Sequence, residues 1–320
     1  MLSYTNYVVN FTLQKKKEYD IMEYNKQVKE ELHMKISEIF KQNKATLSFE
    51  VFPPKTSDNY KSVETQAMEI ASLKPDFMSV TYGAGGGTSE YTVSIADNIQ
   101  KMHNVPTLAH LTCVSSKKEK VHKQLKLLEE HEIENIMALR GDRTDNDCND
   151  YHYASELIAD IKSLCGDKFC IGGACYPECH PESENLNQDI KNLKYKVDAG
   201  CEFLTTQMFF DNNILYKYMY KLREEGITVP VVAGIMPVTN AKQISRICSL
   251  SGTYLPSKFK NIVDKFGYDN DAMKQAGIAY ATEQIVDLIA NGVKHIHVYS
   301  MNKPDIAEKI QTNLSDIIGK

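Results

Sequence analysis

From Thr46 onward the apolar residues follow two alternating patterns. Short runs rich in β-branched and aromatic residues read as strands: Thr46 to Phe52, Asp76 to Tyr82, Thr107 to Leu111, Asn135 to Leu139, Phe169 to Cys175, Glu202 to Gln207, Val229 to Ile235 and His295 to Ser300. Between them, Glu119 to His131, Tyr153 to Leu164, Leu186 to Ala199 and Ala272 to Ala290 carry apolar residues at the spacing of one helical face. Strict strand and helix alternation predicts a parallel sheet, because each return to the same sheet edge needs a crossover. Eight such units favour an α/β fold closed into a (β/α)₈ TIM barrel over an open doubly wound sheet. The gap before the last strand carries an extra helical segment around Lys258 to Phe266, which predicts an insertion and not a second domain.

Residues 1–44 differ from the rest, being rich in Lys, Glu and Tyr and containing neither Gly nor Pro. Ile21, Tyr24, Val28, Leu32, Ile36 and Ile39 recur every three or four positions, so this stretch predicts an N-terminal helical extension. Acidic residues are mixed with the lysines on its polar side, which favours packing on the main body over anchoring in a membrane. The expected organisation is therefore an extension over 1–44 and a catalytic barrel over 45–320.

Composition changes this picture by exclusion. A chain of 320 residues, 42% hydrophobic and 25% charged, has material for a sizeable core. The formal charge of −5 supplies no basic field, so neither nucleic acid nor an anionic membrane is expected as a partner, and a small molecule is. No apolar run approaches the ~20 residues of a membrane span. The first lysines follow a mildly apolar stretch, the reverse of a secretory signal, which predicts a cytoplasmic protein. Eight cysteines without a C-x-x-C pair suit a reducing compartment. Cys175, Cys179 and His180 lie close in sequence but lack the second pair of a structural zinc site, so no metal is expected.

In such a barrel the reactive groups project from the C-terminal strand ends. The first strand delivers SFEVFPP, with Glu50 among Phe49, Val51 and Phe52. A carboxyl group among apolar side chains has its charged form disfavoured, which predicts a raised pKa and a general acid; a strand-end carboxylate satisfied by a backbone amide is the plainer alternative. The second strand ends in SVTYGAGGGTSEYT, where Gly83, Gly85 and Thr88 fail to complete G-x-G-x-x-G, so a loop that lets a ligand approach the backbone fits better than a Rossmann site. His110 closes the third strand, and Arg140, Gly141 and Asp142 follow the fourth, offering a cation for a phosphate beside a carboxylate. Tyr176 and His180 follow the fifth, Gln207 the sixth, and Tyr299 and Lys303 the eighth: aromatic and amide groups suited to a planar heterocycle. A Schiff-base aldolase loses support because the sixth strand ends in Thr206 and Gln207, without a lysine. His295 and His297 share one strand face and could suggest a metal hydrolase, but they begin their strand, which predicts core histidines at the bottom of the barrel.

The runs SFEVFPPKTS, SVTYGAGGG, AHLTC, ALRGD, YPECHPE, LKYKVDAG, TTQMFFD, GIMPVTN and HVYSMNKP, in this order, closely resemble the methylenetetrahydrofolate reductase family over Thr46 to Ile310. The resemblance implies FAD-dependent reduction of 5,10-methylenetetrahydrofolate to 5-methyltetrahydrofolate in a ping-pong cycle, with NADH or NADPH as electron donor. It implies Glu50 as the acid and Asp142 as the carboxylate beside flavin and pterin. Thr81, His110, Leu139, Arg140, Gly141, Asp142, Tyr153, Ala154, Tyr176, His180, Asp189, Asn192 and Lys196 match its flavin contacts. Gln207, Gln243 and Lys303, with Glu50 and Asp142, match its substrate-binding positions. The chain departs from the family pattern at Ile247, often an aromatic, and at Lys303, commonly an arginine, which keeps the charge but loses the forked geometry. Two alternatives stay open: a flavin subunit fed by a partner iron–sulfur or flavin protein, and a silent folate-binding barrel, which retention of Glu50 and Asp142 disfavours. A homo-oligomer is equally open.

Overall fold

The computed structural model describes residues 34–54, 56–82, 89–143 and 150–320. Eight parallel strands close in sequence order: β1 (Thr46–Val51), β2 (Phe77–Val80), β3 (Thr107–Thr112), β4 (Asn135–Leu139), β5 (Cys170–Cys175), β6 (Phe203–Thr206), β7 (Val231–Ile235) and β8 (His295–Val298). The expected barrel is present, and most of its strands stop a residue or two inside the apolar runs that announced them. Helix α1 (Ile36–Lys41) precedes β1. The crossovers are α2 (Tyr60–Ser72), α3 (Ser89–His103), α4 (Lys118–Glu130), α5 (Ala154–Cys165), α6 (Leu186–Asp198) and α7 (Asn212–Glu224). Three helices, α8 (Ala241–Ser251), α9 (Ser257–Phe266) and α10 (Asn270–Ala290), fill the last gap, and α11 (Pro304–Ile318) follows β8. Among the described residues no helix is long and apolar enough to cross a membrane.

The period of two along each strand separates two cores. Outward residues such as Leu47, Phe49, Val51, Ile136 and Ile171 pack under the helices in the main apolar cluster. Inward residues at the strand starts, Phe77, Leu108, Met137, Cys170, Phe203 and Val232, form a second cluster with Ile36, Ile39 and Phe40 of α1. The ring of Phe40 meets Phe203 edge-on at 5.4 Å and lies 4.2 Å from His295, so α1 plugs the N-terminal end of the barrel. Gly172 makes room for this layer: a Cβ there would stand 2.4 Å from the Phe203 ring. Of the helical face expected over 1–44, Ile36 and Ile39 are buried in this plug, while Ile21, Tyr24, Val28 and Leu32 lie outside the described residues. A third cluster, including Met208, Phe210, Phe259 and Tyr280, ties α8 to α10 against the exit of β6.

Candidate active site

Two residues beyond the apolar layer, the inward positions become polar. Glu50 pairs in register with Ser79, and Ser48 with His297. Ser79 Oγ lies 3.3 Å from Glu50 Oε2 and 3.1 Å from His297 Nε2, while Ser48 Oγ lies 2.8 Å from His297 Nδ1. Proton counting constrains this chain. If Ser79 donates to the Glu50 carboxylate, it must accept from His297 Nε2–H; if it donates to His297, it can only accept from a protonated Glu50. His110 Nε2 and His297 Nε2 each stand 3.7 Å from Glu50 Oε2.

These neighbours overturn the expected direction of the Glu50 pKa. Burial does push it up, but the His297 imidazole close by, the positive charge that His110 and His297 carry when protonated, and the Ser79 hydroxyl together hold it below the ordinary carboxylate value. The apolar residues that flank Glu50 in sequence point away from it, because adjacent strand positions face opposite sides of the sheet. Burial also drives the His110 pKa down to about 4. His110 is thus neutral near pH 7, and its buried Nε2 has no hydrogen-bond partner among the described residues. A second correction concerns His297. His295 does lie at the bottom beside Phe40, but His297 sits directly beneath Glu50.

Beside this cluster, the ends of β4, β5 and α6 enclose a cleft of about 670 Å³. The cleft gathers eleven of the expected flavin positions, Leu139, Arg140, Gly141, Asp142, Tyr153, Ala154, Tyr176, His180, Asp189, Asn192 and Lys196, together with Ser155, Glu182 and Tyr195, which sequence reading did not single out. Thr81, donating its amide to Val51 O, and His110 belong to the neighbouring mouth. Gly141 has φ +88°, and a Cβ would stand 3.1 Å from Thr112 Cβ, so the chain can turn under the cleft only with glycine there. Asp142 follows it, exposed on the cleft wall.

Two cations face the cleft in different states. Arg140 is held bidentately by Glu182 at 2.7 and 2.5 Å. Lys196 reaches in from α6 to donate to Ala174 O at 2.7 Å; burial lowers its pKa, and no carboxylate lies within ion-pair distance of it among the described residues. A half-buried ammonium without a counter-ion carries a desolvation cost, and an anionic ligand would relieve it. Tyr176 and His180 meet edge-to-face at 4.6 Å, and burial pushes the Tyr176 hydroxyl up to about 12, so it remains a donor. Asp189 supports this loop from behind, accepting from His180 N at 3.0 Å and Ser183 Oγ at 3.1 Å. Asn192 accepts from Gln188 at 3.1 Å.

On the other side of the mouth, Gln207 Oε1 accepts from Met208 N, and Lys303 Nζ donates to Thr239 Oγ1 at 3.0 Å. Tyr299 gives its hydroxyl to Thr206 O at 2.6 Å, so it braces the barrel wall. Ile247 packs partly into the third apolar cluster. The Gln243 side chain lies outside the described residues, as do residues 83–88 with Gly83, Gly85 and Thr88. Cys175 is buried in the core, its thiol pushed up to about 12. Of the groups that sequence reading missed, Ser48 was signalled by its place two residues before Glu50 on the same strand face; Glu182 carried no such signal.

A family model described as methylenetetrahydrofolate reductase matches residues 35–315. The chain is 34% identical to methylenetetrahydrofolate reductase (NADH) 1 of Arabidopsis thaliana over 295 residues, covering 88% of this chain and 50% of that protein. It spans about half the length of the plant relatives it matches. It is also 34% identical to the 5,10-methylenetetrahydrofolate reductase of Pectobacterium carotovorum subsp. carotovorum, covering 88% of this chain and 93% of that one. Among solved structures, an uncharacterised Clostridium thermocellum protein that binds two copies of 5-methyl-5,6,7,8-tetrahydrofolic acid shares the fold, with a TM-score of 0.59 at 15% identity over 89% of this chain and 99% of that chain.

Proposed function

The chain belongs to the methylenetetrahydrofolate reductase family, and on that premise we propose that it reduces 5,10-methylenetetrahydrofolate to 5-methyltetrahydrofolate, with FAD as its cofactor and NADH or NADPH as donor. The observation that carries this reading is the juxtaposition, at one barrel mouth, of a carboxyl group with two histidine nitrogens 3.7 Å away and a cleft containing a half-buried lysine that has no ion-pair partner among the described residues. The residues suit FAD. Lys196 meets the demand of a diphosphate for a cation, Gly141 allows close approach to the backbone, and His110 Nε2 has hydrogen-bonding capacity to offer. Arg140 could join Lys196 only by sharing its guanidinium between Glu182 and the ligand. Bound FAD would supply a carrier that takes a hydride from the nicotinamide and passes it to the folate.

The chain's own residues then do the acid–base work. A folate lying over the mouth would exclude water from Glu50 and strengthen the one influence that already raises its pKa. Glu50 Oε2 would deliver its proton to a ring nitrogen of the methylene bridge, opening the five-membered ring to an iminium ion. Ser79 and His297 would hold and replenish that proton along the chain described above. Asp142 would bond the pterin and stabilise the cation electrostatically. Gln207, Gln243 and Lys303 would line the substrate side, within a catalytic unit spanning 45–320.

The purified protein should carry or take up FAD non-covalently. Lys196→Ala should weaken retention by about tenfold to a hundredfold, the range expected for loss of a charged hydrogen bond. A protein that binds no FAD under any reconstitution would contradict the reading.

A further inference from the structure

The strand that carries Glu50 is held on one side by backbone and on the other, past a certain point, by side chains. Its register with β2 runs to Val51 and Val80, and Thr81 N extends it by donating to Val51 O at 2.9 Å. Its register with β8 ends earlier, at Phe49 and Val298. Beyond that point β8 parts from β1, and the chain segment 299–303 turns toward α11 through two consecutive left-handed residues, Met301 (φ 55°) and Asn302 (φ 53°). From this turn Ser300 Oγ donates to Glu50 O at 2.7 Å. The Asn302 amide closes a two-point bond with Phe52: its Oδ1 accepts from Phe52 N and its Nδ2 donates to Phe52 O, both at 2.9 Å. In a strand the N–H and C=O of one residue point to the same side, so a side-chain amide can satisfy both as a neighbouring strand would.

We infer that Asn302, assisted by Ser300, is a positioning residue that prolongs the β1–β8 ladder in side-chain form and thereby fixes the depth at which Glu50 meets the folate. The inference rests on Glu50 being the acid in the proposed reaction. Several features make this more than loop packing. Ser300 and Asn302 are buried, while Phe52, whose backbone they grip, is partly exposed at the mouth and is followed by Pro53 and Pro54. Proline nitrogens donate no hydrogen bond, so the backbone after Phe52 offers β8 no further N–H at those two positions. Without the bonds from Asn302 and Ser300, the strand beyond Phe49 would be secured from the β2 side only. Glu50 Oε2 stands 3.3 Å from Ser79 Oγ and 3.7 Å from His297 Nε2, so whether it can reach both depends on where its strand is held. A shift of about 1 Å at a reacting group can cost on the order of a hundredfold in rate. The same turn continues into Lys303, whose amide donates to Ser300 O at 3.1 Å, so the clamp also links the acid's strand to the substrate-side cation.

Asn302→Gly is the informative variant, because glycine keeps the left-handed backbone comfortable and removes only the amide. We expect FAD retention and flavin reduction by the nicotinamide to stay within about threefold of wild type, while reoxidation by the folate slows at least tenfold. In a Glu50→Gln background the same change should cost almost nothing more, since a residue that acts through Glu50 cannot act when the acid is gone. Equal slowing of both half-reactions, or additive losses with Glu50→Gln, would overturn the inference. Ser300→Ala, which removes only the bond to Glu50 O, carries the same test should Asn302→Gly not fold. Hydrogen exchange at the Phe52 amide separates failure of the clamp from failure of the assigned activity. Protection in wild type that is lost in Asn302→Gly is expected even if the protein reduces no folate, and equal exchange in the two would overturn the clamp by itself.

Discussion

At the N-terminal end of the barrel the inward positions are Phe77, Leu108, Met137, Phe203 and Val232, sealed by Phe40. Two residues further along β2 and β3 stand Ser79 and His110, level with Glu50 on β1 and above His297 on β8. The same strands thus carry, one pleat apart, an apolar plug and a titratable cluster. Backbone pairing of β1 with β2 and of β2 with β3 runs through both, so along these strands the difference lies in what the inward side chains are. The lower layer gains stability by excluding water. In the upper layer, burial acts on ionisable groups, and there it sets protonation. The comparison predicts that the two layers can be broken separately: changes below should unfold the protein while sparing its chemistry, and changes above should do the reverse.

The largest effect should come from the upper layer. Glu50→Gln keeps shape and hydrogen bonding but cannot deliver a proton, so the folate half-reaction should slow by about 10²–10⁴. Flavin reduction by the nicotinamide needs no acid and should survive. Stopped-flow measurement of each half-reaction decides this; equal slowing of both would make Glu50 structural. Below, Phe40→Ala should cost about 3–5 kcal/mol of stability in denaturant melts, with rates of the surviving folded enzyme near wild type. A rate loss in the folded fraction matching that of Glu50→Gln would erase the distinction between layers.

Smaller effects sharpen it. Asp142→Asn, outside both layers on the cleft wall, should keep the flavin and slow the folate step roughly tenfold or more, at least ~1.4 kcal/mol of barrier. Wild-type reoxidation rates would remove Asp142 from the chemistry. The pH dependence of stability should draw on both layers at once. Burial holds His110 above and His295 below at pKa values of about 4. Between the unfolded value near 6.5 and about 4 the unfolded chain binds more protons, so stability should fall as pH falls through that window. Glu50, held low, adds the same sign below its unfolded value. His295→Gln should flatten the slope by up to one proton without touching the pH profile of turnover, and an unchanged slope would exclude His295 from the linkage.

Which parts of this were legible in the sequence follows from the range of each interaction. The strands and the closed barrel are readable because periodicity is local, and their ends overrun because apolar residues continue where pairing stops, as at Phe52. The cleft is readable in LKYKVDAG and ALRGD, through which the family resemblance marks Lys196, Arg140 and Gly141. The pKa of Glu50 was read in the wrong direction because the groups that control it, Ser79, His110 and His297, arrive from three other strands. His297 was placed too low for a related reason: the register that sets it opposite Ser48 is a property of the closed barrel. The Glu182 clamp on Arg140 and the Asn302 clamp on Phe52 join distant loops, and nothing in either local sequence announces its partner.

Passage of a hydride from a nicotinamide through a flavin to a folate at one barrel mouth can be watched by sequential anaerobic mixing of the FAD-loaded protein. NADH or NADPH should bleach the flavin absorbance, and 5,10-methylenetetrahydrofolate added next should restore it with formation of 5-methyltetrahydrofolate. A flavin that neither nucleotide bleaches would point to a partner protein as donor, and a flavin that stays bleached in the presence of the folate would contradict passage to the folate itself.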